Sequence, residues 1–477
     1  MGRIDLESFT IHGLSELVRK REISPVEIIR ATLRRIERYD GELKAYITVS
    51  SEEALESAKR AEASIARGGY IGPLHGIPIG LKDIIFTKGI RTTCGSKILA
   101  DFFPREDATV VTRLKKAGAI IVGKLNCHEF AYGATSVNPH YGTPENPWNA
   151  RCIPGGSSGG SAVAVASSLC LGALGTDTGG SIRIPSSLCG IVGLKPTYGR
   201  VSTYGVYPLS WSLDHVGPMT KTVKDAAILL QLLAGHDPRD ANSNSRPVPD
   251  YLSIREDVRG LRAGVPSDFY FENCDPEVRE CVMKALEALR EAGVLIGEVA
   301  IPHLKHATTA GLVILLAEAA SQHENYLKGG QSEGYGKDVR GLLKSGTFVT
   351  ATQYIKAQRV RSVIRKEFLK AFELVDVLIT PGLPVVAPHM EQNSVTLSGK
   401  KETVRSALTR LMRPYNLTGV PAIVLPCGFS KSGLPVALQI AGRPFEEASI
   451  LAVAQAYEKQ SSWHERRPSI EPPGGSR

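Results

Sequence analysis

Gly155-Gly156-Ser157-Ser158-Gly159-Gly160-Ser161, the small-residue run Ala162–Ser168, and Gly175-Thr176-Asp177-Thr178-Gly179-Gly180-Ser181-Ile182-Arg183-Ile184-Pro185 follow one another closely and set the reading of the whole chain. The run of small residues suits a helix that packs very close to its neighbours. Gly179 and Gly180 free the backbone to turn successive N–H groups toward one point, an anion-binding nest. A hydroxyl at Ser181, beside such a nest, meets the needs of acyl transfer: a nucleophile next to donors for a developing oxyanion. Each such donor contributes roughly 3–4 kcal/mol at the transition state.

A base must take the proton from that serine. Upstream, Gly76-Ile77-Pro78-Ile79-Gly80-Leu81-Lys82-Asp83 reads as an apolar strand that ends on a lysine. A lysine accepts a proton only when neutral, and at its ordinary pKa about 0.4% is neutral at pH 8. Burial must therefore lower it. Ile77, Ile79, Leu81, Ile84 and Ile85 supply the apolar surroundings.

Outward from these motifs, residues 1–70 read as helical. Ser24-Pro25 opens a helix with a capping serine and a first-turn proline, and Val26, Ile29, Leu33 and Ile36 mark one face. From Leu74 the texture changes to short apolar runs, Ile77–Ile85 and Ile120–Val122, separated by the helical spacing of Val111 and Leu114. This alternation predicts an α/β sheet. Residues 235–260 are polar and form a surface connection. Glu280–Ala292 and Ala351–Phe372 are amphipathic helices, and Asp376–Thr380, Ala422–Pro426 and Val436–Ile440 return to strand texture. The chain divides into an N-terminal helical segment (1–70), a core with the motifs (71–235), a mainly helical substrate-side region (236–370) and the rest of the α/β core (371–477). The tail Pro472–Arg477 is expected to fray.

Composition excludes several classes. Lys and Arg number 57 against 48 Asp and Glu, a net charge of +9, but the basic residues are scattered, so a solvated surface is expected and no nucleic-acid site. Eight cysteines form no C-x-x-C pair, which fits reduced thiols in a cytoplasmic protein. Met1–Leu6 carries no apolar signal core. Ala162–Gly175 and Ala310–Ala320 are too short to span a bilayer and read as core helices.

Competing readings are weaker. Lys82-Asp83 alone is most often an exposed pair, and a Gly/Ser loop alone a turn. Residues 155–161 lack the Lys-Ser/Thr ending of a phosphate-binding loop. Gly156-x-Ser158-x-Gly160 matches a nucleophile elbow, yet the preceding Asn149–Pro154 is polar and ends in proline where a buried strand is required. His303 and His306 have no partner at metal-ligand spacing, and Cys127 and Cys189 suit small core fillers.

Taken together and in order, the motifs resemble the amidase signature family. Its members share a lysine after a Gly-x-Pro strand, a Gly-Gly-Ser-Ser-Gly-Gly-Ser loop and a Gly-Gly-Ser-Ile-Arg turn. The spacings are similar too, 75 residues from Lys82 to Ser157 and 24 from Ser157 to Ser181. The resemblance continues through Cys189–Arg200 and Asp214–Pro218 and reappears at Gly419–Pro421 and Gly433–Pro444, while 235–345 stands apart. It implies a single large α/β domain, its mixed central β-sheet covered by helices on both faces. Ser181 would be the nucleophile, and Ser157, on a cis peptide, would relay its proton to Lys82. The N–H groups of Thr178, Gly179, Gly180 and Ser181 would form the oxyanion hole. Ser158, Asp177 and Arg183 would hold the loops, and Tyr132, Ser136, Asn138 and Tyr141 would border the acyl pocket. Neither a metal nor a cofactor is implied.

Two kinds of member are weighed for the substrate. A stand-alone amidase hydrolyses a small neutral amide, anilide (an aryl acylamidase) or carbamate. The glutaminase component of a tRNA-dependent glutamyl/aspartyl amidotransferase works with partner subunits and needs an arginine and an aspartate for the glutamine's carboxylate and amine. Aligned by eye, those positions fall on Leu342 (with Arg340 close by) and Thr409. Apolar Leu312–Leu316 also favours an apolar substrate. The expectation is a neutral amide, anilide or carbamate cleaved by a monomer or homodimer, with no nucleic acid and no membrane. The alternatives are the glutaminase and a carboxybiuret- or urea-type amide hydrolase.

Overall fold

The computed structural model describes residues 4–470, and its centre is a mixed sheet of eleven strands. In chain order the strands are β1 (Tyr46–Val49), β2 (Pro78–Lys82), β3 (Ile120–Leu125), β4 (Gly172–Thr176), β5 (Val192–Lys195), β6 (Val216–Thr220), β7 (Arg262–Val265), β8 (Leu295–Glu298), β9 (Val377–Pro381), β10 (Ser394–Leu397), β11 (Lys400–Thr403), β12 (Ala422–Phe429) and β13 (Pro435–Gly442). β10 and β11 form a separate hairpin. Across the large sheet the order is β1-β3-β2-β4-β6-β5-β12-β13-β9-β7-β8. β2 runs parallel to both β3 and β4. β7 runs parallel to β8 and β9, and the remaining neighbours are antiparallel.

Successive side chains of a strand leave opposite faces, and the apolar residues sort accordingly. Ile120 and Val122 join one buried cluster and Ile121 another, and Ala173 and Leu174 divide the same way. The first cluster is completed by helices Pro25–Leu43 and Gly159–Ala166, the second by helices including Val223–Leu233 and Glu447–Gln460. The single α/β domain with helices on both faces of a mixed sheet is therefore the architecture expected. Local signals hold as well. Ser24 accepts from Val26 N while Glu27 reaches back to Ser24 N, so the capping box fixes the start of Pro25–Leu43.

Three expectations change in detail. Within 4–70 the elements are helices except for β1, which pairs with β3 at the sheet edge. The region 236–370 is mainly helical, but β7 and β8 within it extend the same sheet past β9. These strands have only four residues each, too few for a periodicity to declare them. Ala162–Gly175 is not one helix: the helix stops at Ala166, Ser168 takes a left-handed conformation (φ 56°), and the chain re-enters the sheet as β4. The end of the tail, Pro472–Arg477, lies outside the described residues. Among the described residues no helix is long and apolar enough to cross a membrane.

Candidate active site

Ligands of α/β sheets gather beyond the carboxyl ends of parallel strands. β2 and β4 are parallel neighbours with Leu81 beside Leu174, so their last residues, Lys82 and Thr176, emerge together at one edge. Lys82 is fully buried, as is Asp83, so the pair is not a surface pair. The Lys82 Nζ lies 2.6 Å from Ser157 Oγ and 2.8 Å from Thr176 Oγ1. Burial pushes the Lys82 amine down to about 8, with Cys127 and Asp177 opposing the shift.

Low pKa by itself does not single out this lysine. Burial also brings Lys124 to about 8 and Lys221 to about 7, and pushes Lys195 well below its ordinary value. Lys124 donates to Thr92 Oγ1 and the Ile85 carbonyl, Lys195 to the Pro196 and Val420 carbonyls, and Lys221 to those of Leu6, Glu7 and Phe9. Of these four, Lys82 alone reaches a serine hydroxyl.

The Gly156–Ser157 peptide bond is cis. The Ser157 carbonyl accepts from His128 N (3.0 Å) and from Ser136 Oγ (3.3 Å). Ser158 turns to the sheet: its Oγ donates to the Thr176 carbonyl at 3.2 Å and accepts from Thr176 N at 3.3 Å. Ser158 N donates to the Ser181 carbonyl at 3.2 Å, joining the two serine loops. No strand leads directly into Ser158, since a short 3-10 turn and a loop separate it from β3, so a nucleophile elbow does not form. Gly160, which opens the small-residue helix, cannot carry a side chain, since a Cβ there would lie 2.5 Å from the carbonyl oxygens of Ala45 and Asn126.

The second loop is shaped around Asp177. This buried carboxylate accepts from Gly180 N (2.8 Å), Ile182 N (3.1 Å), Arg183 Nε and Nη2 (both 3.0 Å) and Asn416 Nδ2 (2.8 Å). Burial alone would raise its pKa, but the Arg183 guanidinium holds it well below the usual carboxylate range. Arg183 also donates to Gln439 Oε1, Asn416 Oδ1 and the Met412 carbonyl. Gly180 sits at φ 121°, where a Cβ would meet Met412 Cβ at 2.7 Å. Its N–H, expected to face the oxyanion with three others, is committed to Asp177. Among the described residues the N–H groups of Thr178, Gly179 and Ser181 have no acceptor. Ser181, 7% exposed, opens into a narrow cleft shared with Tyr132, Thr178, Gly179, Leu315, Arg405, Thr409 and Arg413.

Of the four residues expected at the acyl pocket, only Tyr132 lines this cleft. Ser136 Oγ accepts from Gly159 N and donates to the Ser157 carbonyl, which places it behind the serine loop. Asn138 is buried on the Gly95 and Cys127 carbonyls, and the Tyr141 hydroxyl points to Ser96 O. Thr409 does line the cleft and so does Leu315, but Leu342 packs against the core away from it.

Sequence reasoning gave no role to Thr176 and Gln439, although both lie within the motifs, nor to Asn416, and it missed Arg405 and Arg413 entirely. Asp214 is also close by: it accepts from Thr178 Oγ1 at 2.5 Å, and burial pushes its carboxyl up to about 7. No histidine competes for the serines. The His215 ring faces the Leu213 and Asp177 carbonyls, and burial keeps its pKa well below the ordinary value. His303 is exposed and pairs with Glu367, and among the described residues no group of three potential metal ligands assembles.

Comparison with known proteins agrees with this geometry. The profile of the Amidase family matches residues 27–451. A glutamyl-tRNA(Gln) amidotransferase subunit of Geobacter metallireducens is 44% identical over 98% of this chain and 100% of its own length. The crystal structure of the corresponding subunit from Thermotoga maritima is 36% identical, with a TM-score of 0.83 over 99% of this chain and all of that one. A chain described with a vestigial protein complex and the evolutionary origins of an s-triazine catabolic enzyme superposes at a TM-score of 0.90, with 33% identity over 94% of this chain and 98% of that one. The match over nearly the whole chain, on a sheet that brings the motif lysine and the motif serines to one edge, means that this protein belongs to the amidase family, the amidase signature enzymes that act on amide C–N bonds.

Proposed function

We propose that this chain hydrolyses a small amide through an acyl-enzyme on Ser181, with Ser157 relaying the proton to a neutral Lys82. One observation carries the reading: a fully buried lysine of lowered pKa in 2.6 Å contact with the Ser157 hydroxyl, beside a loop with unpaired N–H groups. Ser181 Oγ attacks the carbonyl carbon, its proton passes to Ser157 Oγ, and the Ser157 proton passes to Lys82 Nζ. The N–H groups of Thr178, Gly179 and Ser181 receive the oxyanion. The proton then returns through Ser157 to the leaving nitrogen, the C–N bond breaks, and water attacks the acyl-enzyme by the same relay. This relay requires the Ser181 and Ser157 hydroxyls to come within hydrogen-bond reach in the substrate complex.

The sign of the pH dependence follows from the lysine. Protonated Lys82 cannot accept a proton, so kcat/KM is expected to rise with pH through about 8 and then level, well short of an ordinary lysine's pKa. A pH–rate profile measures this. A rise centred near 6.5, the histidine range, would contradict the base assignment.

For the substrate, the relatives support the glutaminase alternative better than the neutral amide, anilide or carbamate. Relatives such as that of Geobacter metallireducens bear the amidotransferase name, and the cleft wall carries two guanidinium groups. Glutamine also brings an ammonium, and among the described residues no Asp or Glu lines the cleft to meet it. The chain alone is therefore expected to release ammonia without tRNA, and adding amidotransferase partner subunits with glutamyl-tRNA is expected to leave the rate unchanged. A strong stimulation by those partners would establish the glutaminase reading instead.

A further inference from the structure

Buried arginines in this protein are paired where they serve the fold. Arg183 is fully buried and every branch of its guanidinium meets an acceptor, Asp177 in a two-pronged contact. Arg413 departs from that rule. It is 6% exposed, its Nε is buried without any acceptor, and its one hydrogen bond is a long contact of 3.5 Å from Nη1 to the Thr308 carbonyl. It opens the helix Arg413–Thr418 directly against the catalytic loop, with Nε 3.6 Å from where a Cβ on Gly179 would stand.

Arg405, on the helix Val404–Arg410, enters the same cleft with its guanidinium over the Tyr132 ring, 5.4 Å from the centroid. Among the described residues no carboxylate forms an ion pair with either arginine. Asp338, the one acid that acts on Arg405 at a distance, is held 2.8 Å from His128 Nε2. Burial, and then the like charge of Arg405, bring Arg413 down to about 10. A guanidinium left almost without acceptors at 6% exposure, beside a second, partly buried one that has only the Tyr132 ring and no carboxylate, is unfavourable unless an anion arrives. Their planar forks match a carboxylate.

We infer that Arg405 and Arg413 form an anion subsite beside Ser181 that takes a carboxylate of the substrate. The substrate class is then a small amide with a carboxylate a few bonds from the scissile carbonyl and no ammonium next to it, such as the monoamide of a short dicarboxylic acid. Leu315 and Tyr132 flank its methylenes, and Thr409, whose hydroxyl donates to the Arg405 carbonyl, brings no carboxylate for an ammonium. The inference rests on Ser181 as the nucleophile, and it replaces the neutral-substrate expectation with an anionic one.

Ammonia release from glutaramate, its neutral counterpart butyramide, and glutamine tests it, in the wild type and in Arg405→Gln, Arg413→Gln and Arg413→Lys. The wild type is expected to prefer glutaramate over butyramide by roughly 30-fold or more in kcat/KM, and to prefer it over glutamine. Each Gln variant is expected to lower that preference by roughly tenfold or more, chiefly through KM, with Arg413→Lys in between. Labelling of Ser181 by a fluorophosphonate reports whether the site is assembled, and is expected to persist in variants that lose the preference. If Arg413→Gln loses the label through misfolding, Arg413→Lys and Arg405→Gln decide the matter. An unchanged preference in labelled variants, an equal loss on glutaramate and butyramide, no wild-type preference for glutaramate, or a preference for glutamine would each overturn the subsite. Absence of label on wild-type Ser181 would instead overturn the nucleophile.

Discussion

Replacing Ser181 by alanine is expected to lower turnover by roughly 10⁴-fold or more while the protein stays folded. The fold tolerates the change because only a hydroxyl facing the cleft is lost, whereas the backbone of Ser181 continues to tie its loop to Ser158 N. The rate falls because no other hydroxyl can take its place. Ser158 is held on both sides by the Thr176 backbone, and Ser157 is fully buried against Lys82. A fluorophosphonate is expected to label Ser181 in the wild type, with mass spectrometry of the peptide locating the adduct. Hydroxylamine is expected to trap the acyl group as a hydroxamate. Labelling at Ser158, with Ser181→Ala still active, would refute the assignment.

Lys82→Met is expected to cost roughly 10³-fold or more in kcat and to abolish the rise in activity through about pH 8. Methionine fills similar space in a site that has no water-exposed surface, so the variant separates loss of the base from the cavity that alanine would leave. Ser157→Ala is expected to lose nearly as much, because it severs the contact between Lys82 and the nucleophile. Lys221→Met provides the contrast. Its amine is also lowered, to about 7, but it donates to backbone carbonyls of the N-terminal segment, so the pH profile is expected to stay unchanged. Normal rates in Lys82→Met would show that another group takes the proton.

The sequence by itself determined the architecture and picked out the side chains that the proposed mechanism uses, because both signals are local or strictly spaced. The capping box at Ser24 and Glu27, the apolar strand ending on Lys82, the small-residue helix after Ser158 and the glycines before Ser181 are each written into a short stretch of chain. Short edge strands such as β1, β7 and β8 were not legible, since four residues become a strand only when a partner supplies the hydrogen bonds. The same limit applied to the cleft. Ser136 and Asn138 have the right chemistry for a pocket, but folding turns them onto backbone carbonyls behind it. Arg405 and Arg413 lie more than two hundred residues from Ser181 in a segment whose pattern says only helix, and nothing in that pattern distinguishes a solvated arginine from a buried one. Only the tertiary structure decided that two cations would share a cleft with the serine and find no carboxylate of their own, because burial and pairing are properties of the packed chain and not of its spacing.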